Sequence, residues 1–169
     1  GFIRRKNHRE IMIKQATRLL AISVLLFLSA TAVRADQFGD FYYSTDGSVV
    51  TITGYTGDGG AIMIPGSING QPVTGIGINA FCNRITLTNV TIPDSVARIG
   101  QQAFVSCSGL TNVTIGSGVT NIGYQAFAYC SSLKQFTVSA LNPVYSSEEG
   151  VLFANNQTTL VQYPAGKAG

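Results

Sequence analysis

Leu87-Thr88-Asn89-Val90-Thr91-Ile92, Leu110-Thr111-Asn112-Val113-Thr114-Ile115 and Leu133-Lys134-Gln135-Phe136-Thr137-Val138 superimpose at a fixed spacing of 23 residues. Each segment reads leucine, two variable residues, then hydrophobic, variable, hydrophobic. The closing alternation is that of a strand with one buried face. A unit of this length cannot bury its apolar edge alone, so successive units stack as the coils of a solenoid. The functional question then concerns a face of that stack more than a single catalytic point.

The register extends on either side of these strands. Val73, Val96 and Val119 are 23 apart, as are Ile76, Ile99 and Ile122, and Gly77, Gly100 and Gly123. Ala80-Phe81, Ala103-Phe104 and Ala126-Phe127 follow in step. Matching residues should form ladders, with neighbouring parallel strands about 4.7–4.9 Å apart. The inward set of the second coil is expected to be Leu87, Val90, Ile92, Val96, Ile99, Ala103, Phe104 and Cys107. The glycine after each inward isoleucine predicts a left-handed or close-packed turn. The Ala-Phe pair that follows predicts a single helical turn on the outer side. The expected fold is a β-rich, α+β solenoid, right-handed, with a parallel sheet on one face and an N-terminal β-hairpin cap.

The ends of the array differ from its middle. Phe41–Thr45 and Ser48–Thr53 flank Asp46-Gly47, a strong hairpin signal because both turn residues tolerate positive φ. Residues 36–60 therefore read as an N-terminal cap, and 61–169 as repeats. The first repeat carries a longer loop: Ile64 and Ile92 are 28 apart, not 23. After Val138 the period fails. Gly150–Phe153 and Thr159–Tyr163 flank Ala154-Asn155-Asn156-Gln157 and read as an inserted hairpin. No closing cap is visible, so further repeats or domains are expected beyond Gly169. Apolar ladder residues are expected to be exposed in the last coil.

Residues 1–35 have a different composition. Seven of the eleven basic residues fall in the first 34 positions, followed by the apolar run Leu19–Leu28. Val33 and Ala35 stand at −3 and −1 of a cut before Asp36. A basic start, a short apolar run and small residues at the cut are the signature of a secretory signal peptide. Met12 is a plausible true start. Beyond residue 35 the chain carries Arg84, Arg98, Lys134 and Lys167 against seven acidic residues, a net charge of about −3. Without a basic patch, nucleic acid is not an expected partner. No membrane insertion is expected after cleavage.

The run Leu87–Gly109, LTNVTIPDSVARIGQQAFVSCSG, resembles the BspA-like leucine-rich repeat. That family pattern is L-x-x-hydrophobic-x-I-P-x-x-V-x-x-I-G-x-x-A-F-x-x-C. Residues 110–132 fit it with Gly116 in place of the proline, and residues 62–86 with the longer loop and Arg84 in place of the cysteine. The Gly150–Phe153 hairpin and Tyr163–Lys167 resemble an insertion seen between repeats of that family. The resemblance implies a secreted or surface protein acting in adhesion and partner binding. It supplies no catalytic residues.

Catalytic and metal chemistry find little footing. The one histidine, His8, lies in the leader, so a Ser-His-Asp triad is impossible in residues 36–169. Three cysteines without histidine make a poor zinc site. Cys107 and Cys130, 23 apart, should stack as two buried thiols in preference to a disulfide, while Cys82 lies off that ladder. Glu148-Glu149 are adjacent turn carboxylates that point apart and stay solvated. Asp94 needs no role beyond turn chemistry. No cofactor, metal site or catalytic residue is expected, and the protein reads as non-enzymatic.

The outward strand positions are the candidates for partner binding: Thr88, Asn89 and Thr91, then Thr111, Asn112 and Thr114, then Lys134, Gln135 and Thr137. Threonine is also a good solvated strand residue, which alone accounts for part of the pattern. Asn89, Asn112 and Asn156 sit in Asn-x-Thr sequons that matter only in a eukaryotic secretory host. The expected function is a secreted or cell-surface module binding an extracellular protein or glycan. The alternatives are the recognition arm of a larger secreted enzyme and a structural spacer.

Overall fold

The structure, a computed structural model, describes residues 36–154 and 157–167. The expected signal peptide and Met12 start, His8 and the Asn156 sequon lie outside the described residues. Among those residues there is no helix, and the chain is built from strands and turns.

The repeating strands form as the alternation dictates. Strands β4 (Gly60–Met63), β7 (Leu87–Ile92), β9 (Asn112–Ile115) and β11 (Gln135–Val138) make one four-stranded parallel sheet in the order β11-β9-β7-β4. Its register follows the 23-residue period, with Val90 opposite Val113 and Val113 opposite Phe136. A second parallel ladder was not legible in the sequence. It joins β3 (Val50–Tyr55), β6 (Gln71–Ile76), β8 (Arg98–Ile99) and β10 (Asn121–Ile122). The V-x-x-I stretch of each repeat thus forms a short strand of its own. The predicted inward set of the second coil is fully buried, each member at 1% exposure or less.

At the N-terminal end, β1 (Asp36–Phe38), β2 (Phe41–Thr45) and β3 are antiparallel, and β3 then joins β6 in parallel. The Asp46-Gly47 hairpin forms, but its turn runs through Val49. The Asp46 carboxylate accepts from the N–H groups of Ser48 and Val49 at 2.8 and 3.0 Å, which holds both out of the strand. The longer loop of the first repeat folds into a small hairpin of its own, β5 (Ser67–Ile68) against β6, turning at Asn69 and Gly70 with φ of 52° and 79°.

The expected helical turn at Ala-Phe does not form. Asn79, Gln102 and Gln125 adopt φ of 57°, 54° and 54°, and Asn83, Ser106 and Tyr129 adopt 58°, 59° and 59°. Left-handed residues four apart interrupt any helical ladder. Within the first two arcs, alternate N–H groups instead bond to the next coil, as from Phe81 to Ala103 O at 2.7 Å and from Phe104 to Ala126 O at 2.8 Å. Of the two readings of the repeat glycine, close packing is the one observed. A Cβ on Gly100 would lie 2.6 Å from the backbone of Gly77, and φ at Gly100 is not positive.

An aromatic stack runs through the core. Tyr55, Phe81, Phe104 and Phe127 follow one another with ring centroids 5.5, 4.7 and 5.3 Å apart, and Phe136 closes the row edge-on to Phe127 at 5.2 Å. The inserted segment forms an antiparallel sheet of β12 (Tyr145–Glu148), β13 (Val151–Ala154) and β14 (Thr159–Gln162). It overturns the expectation of an exposed last coil. Gly150 O accepts from Phe136 N–H at 2.8 Å, Ser147 Oγ from Val138 N–H at 3.0 Å, and the Tyr145 hydroxyl from Ile122 N–H at 3.1 Å. Val151 and Leu152 are buried, and so are Phe127, Cys130, Leu133 and Phe136 beside them.

Candidate functional site: the outward strand face

The sheet β11-β9-β7-β4 turns its leucine, valine and isoleucine positions inward, which leaves the intervening residues in files across the strands. Thr88, Thr114, Lys134, Gln135 and Thr137 are exposed, while Asn89, Thr91, Thr111 and Asn112 are half-buried. Thr111 and Lys134 lie just before their strands, yet the period holds: Thr111 N–H donates to Thr88 O at 2.7 Å and Lys134 N–H to Thr111 O at 2.9 Å.

The files differ in how far they are committed to the fold. Asn112 Nδ2 donates to Asn89 Oδ1 at 2.6 Å and lies 3.1 Å from Thr111 Oγ1. The Thr111 hydroxyl in turn lies 2.9 Å from Thr88 O. These groups form a side-chain ladder that orders the middle of the face and occupies part of its hydrogen-bonding capacity. Thr91, Thr114 and Thr137 pair in register as the next file. That file borders an open trough of about 370 Å³, lined also by Met63, Ile92, Pro93, Asp94, Gly116 and Ser139.

Met63, Asp94, Gly116 and Ser139 are among the trough residues not foreseen as part of a face. Met63 lies on the outer strand and is 71% exposed. Asp94 does more than shape its own turn, because its Oδ1 accepts from Ser117 N–H of the next coil at 2.6 Å. That bond holds the carboxyl below the usual carboxylate range. Gly116 replaces the repeat proline where a Cβ would come within 2.7 Å of Asp94 N. The replacement itself was the available signal, since a glycine at a fixed repeat position marks close backbone approach.

The cysteines stack as the 23-residue spacing predicts. Cys107 and Cys130 are buried free thiols, donating to Phe81 O and Phe104 O at 3.0 and 3.2 Å. Burial pushes their pKa values up, to about 12 and about 11. Such thiols are poor nucleophiles and poor metal ligands. Among the described residues, no group of three or more His, Cys, Asp or Glu is placed to hold a metal ion.

Comparison with known proteins extends these observations. A leucine-rich repeat protein from Bacteroides capillosus is 34% identical, over 63% of this chain and 83% of that one, with a TM-score of 0.57. Another from Bacteroides ovatus is 26% identical, over 60% of this chain and 28% of that one, with a TM-score of 0.54. A leucine rich cell surface protein from Faecalibacterium prausnitzii is 20% identical, over 80% of this chain and 63% of that one, with a TM-score of 0.45. The chain thus spans less than two thirds of the F. prausnitzii and B. ovatus proteins. No curated protein matches the sequence. The BspA type leucine rich repeat region matches residues 66–166 in six copies, and the chain belongs to that family.

Proposed function

We propose that this protein is an exported, non-enzymatic recognition module that binds an extracellular protein or glycan through the outward face of its four-stranded parallel sheet. The contact residues are Thr88, Asn89, Thr91, Thr111, Asn112, Thr114, Lys134, Gln135 and Thr137. Family membership and the leader-like first 35 residues support export and binding as a class. The observation that carries the choice of face is its register. Hydroxyl and amide groups recur coil by coil on a backbone fixed by parallel ladders, beside an open trough. A rigid surface of this kind binds with little ordering cost.

The test uses Thr114→Arg, at an exposed position in the central strand. Wild-type protein is applied to arrays of extracellular-matrix proteins and of glycans, and the variant to whatever is bound. Binding is expected to fall at least about tenfold, or about 1.4 kcal/mol, with the melting temperature unchanged. Undiminished binding by the folded variant sinks the choice of face, and no binding by wild type sinks the reading as a recognition module.

A further inference from the structure

Asn69-Gly70 is the one asparagine–glycine pair in the sequence. It sits at the tip of the longer loop of the first repeat, where the β5–β6 hairpin turns with φ of 52° and 79°. A two-residue turn with both φ positive selects this pair. Both residues are exposed. A Cβ on Gly70 would meet nothing within 4 Å, and the Gly70 N–H has no acceptor among the described residues. The backbone nitrogen that follows the Asn69 side chain is therefore unhindered and uncommitted.

The same tip is a latch between the first repeat and the cap. Asn69 Nδ2 donates to the hydroxyl of Tyr43, a buried residue of β2, at 3.2 Å. Two residues on, Gln71 Oε1 accepts from Thr45 Oγ1 at 2.6 Å, and Gln71 Nε2 donates to Gly47 O at 3.1 Å. These bonds tie the hairpin to the N-terminal cap. Its pairing sets Ser67 against Pro72 and Ile68 against Gln71, and Ile68 is buried in the core. The turn fixes that register, so a change in the length of its backbone displaces both Ile68 and Gln71.

We propose that Asn69 is a site of spontaneous covalent modification that loosens this latch. Water or hydroxide takes the Gly70 amide proton, and the nitrogen attacks Asn69 Cγ. The Cγ–Nδ2 bond breaks, and ammonia leaves with a proton from solvent. The product is a five-membered imide spanning the two residues. Water then adds to one of its two carbonyls and reopens the ring. One carbonyl gives an aspartyl residue at position 69, and the other gives an isoaspartyl residue. The isoaspartyl linkage carries the backbone through the side-chain methylene, which makes the turn one atom longer. Either product puts a carboxylate where the Nδ2 donor to Tyr43 stood. No residue of the outward strand face takes part, so the inference does not depend on the ligand of that face.

Protein purified from cells expressing all 169 residues is incubated at pH 6 and at pH 8 and sampled over time. Peptide mass spectrometry reads the amide-to-acid mass gain at each asparagine, and chromatography separates aspartyl from isoaspartyl peptides. The gain is expected at Asn69 at least about tenfold faster than at asparagines followed by a residue with a Cβ. It is expected to be faster at pH 8 than at pH 6, because the attacking nitrogen must lose its proton. Hydrogen exchange of the aged protein is expected to quicken at the Val73 N–H, which donates to Gly66 O at 3.0 Å across the hairpin. Asn69→Gly keeps a residue suited to positive φ and cannot form the imide, so it is expected to age without that change. Circular dichroism checks that the variant is folded. No mass gain at Asn69, or a gain no faster than at the other asparagines, overturns the site. Modified protein whose Val73 exchange stays as slow as before overturns the effect on the latch, as does an Asn69→Gly variant that ages like wild type.

Discussion

Phe104 lies between Phe81 and Phe127 at centroid distances of 4.7 and 5.3 Å with no exposed surface, so its ring is held on both faces. Phe104→Ala is expected to lower unfolding free energy by about 3–5 kcal/mol, cavity included, as read by urea titration. Cys107 and Cys130 give a second prediction at this scale. Desolvation is the largest cause of their raised pKa values, about 12 and about 11 against an ordinary 9.0. Below pH 9 both folded and unfolded thiols are protonated, and no linkage arises. Above it the unfolded thiols release protons first, so stability falls as pH rises from about 9 toward 11–12. Alkylation at pH 8 followed by mass spectrometry is expected to mark half-exposed Cys82 in the folded protein, and Cys107 and Cys130 only after denaturation. The inward set of the second coil was legible in the sequence, because burial follows the hydrophobic period. The left-handed φ at Gln102, Gln125 and Tyr129 was not, because none of these residues prefers it and the bonds between coils impose it.

Among the elements, the inserted sheet and the repeat arcs depart furthest from what the sequence conveys. The hairpin Gly150–Phe153 with Thr159–Tyr163 was recognisable from its alternation, but its role was not. Leu152 is fully buried, and β12 and the loop at Gly150 supply acceptors to the last strands of both parallel ladders. Leu152→Ala is expected to destabilise by about 2–5 kcal/mol. Tyr145→Phe removes the acceptor of Ile122 N–H and is expected to cost about 1 kcal/mol. Both are measured by thermal and urea unfolding. A change near zero for Leu152→Ala shows that the sheet is not seated on the last coil. In the arcs, Gly100→Ala forces a Cβ to 2.6 Å from the Gly77 backbone, and about 1–3 kcal/mol is the expected loss from such overpacking.

For the whole molecule, stability is a sum of coils and of the contacts between them, so protection should follow position in the stack. Amide hydrogen exchange at low concentration is expected to be slow at Gln102, Phe104 and Ser106, whose N–H groups are bonded to the next coil. Fast exchange at these three amides argues against arcs bonded from coil to coil. At this scale the candidate face was legible as a set of outward positions. The trough beside it was not, since Met63 and Ser139 meet there only after coils are stacked.

Periodicity alone determined the solenoid, its 23-residue register, the inward ladders and the outward files, because a repeated apolar edge has one economical solution, the stacking of like on like. What only the tertiary structure decided lies between coils and at their ends. It converts the expected helical turn into a hydrogen-bonded arc, splits each coil across two parallel sheets, and ties Asp94 to Ser117. It also seats the inserted sheet on the last coil. Each of these depends on which backbone groups find partners in a neighbouring coil, and a repeat read singly contains no neighbour.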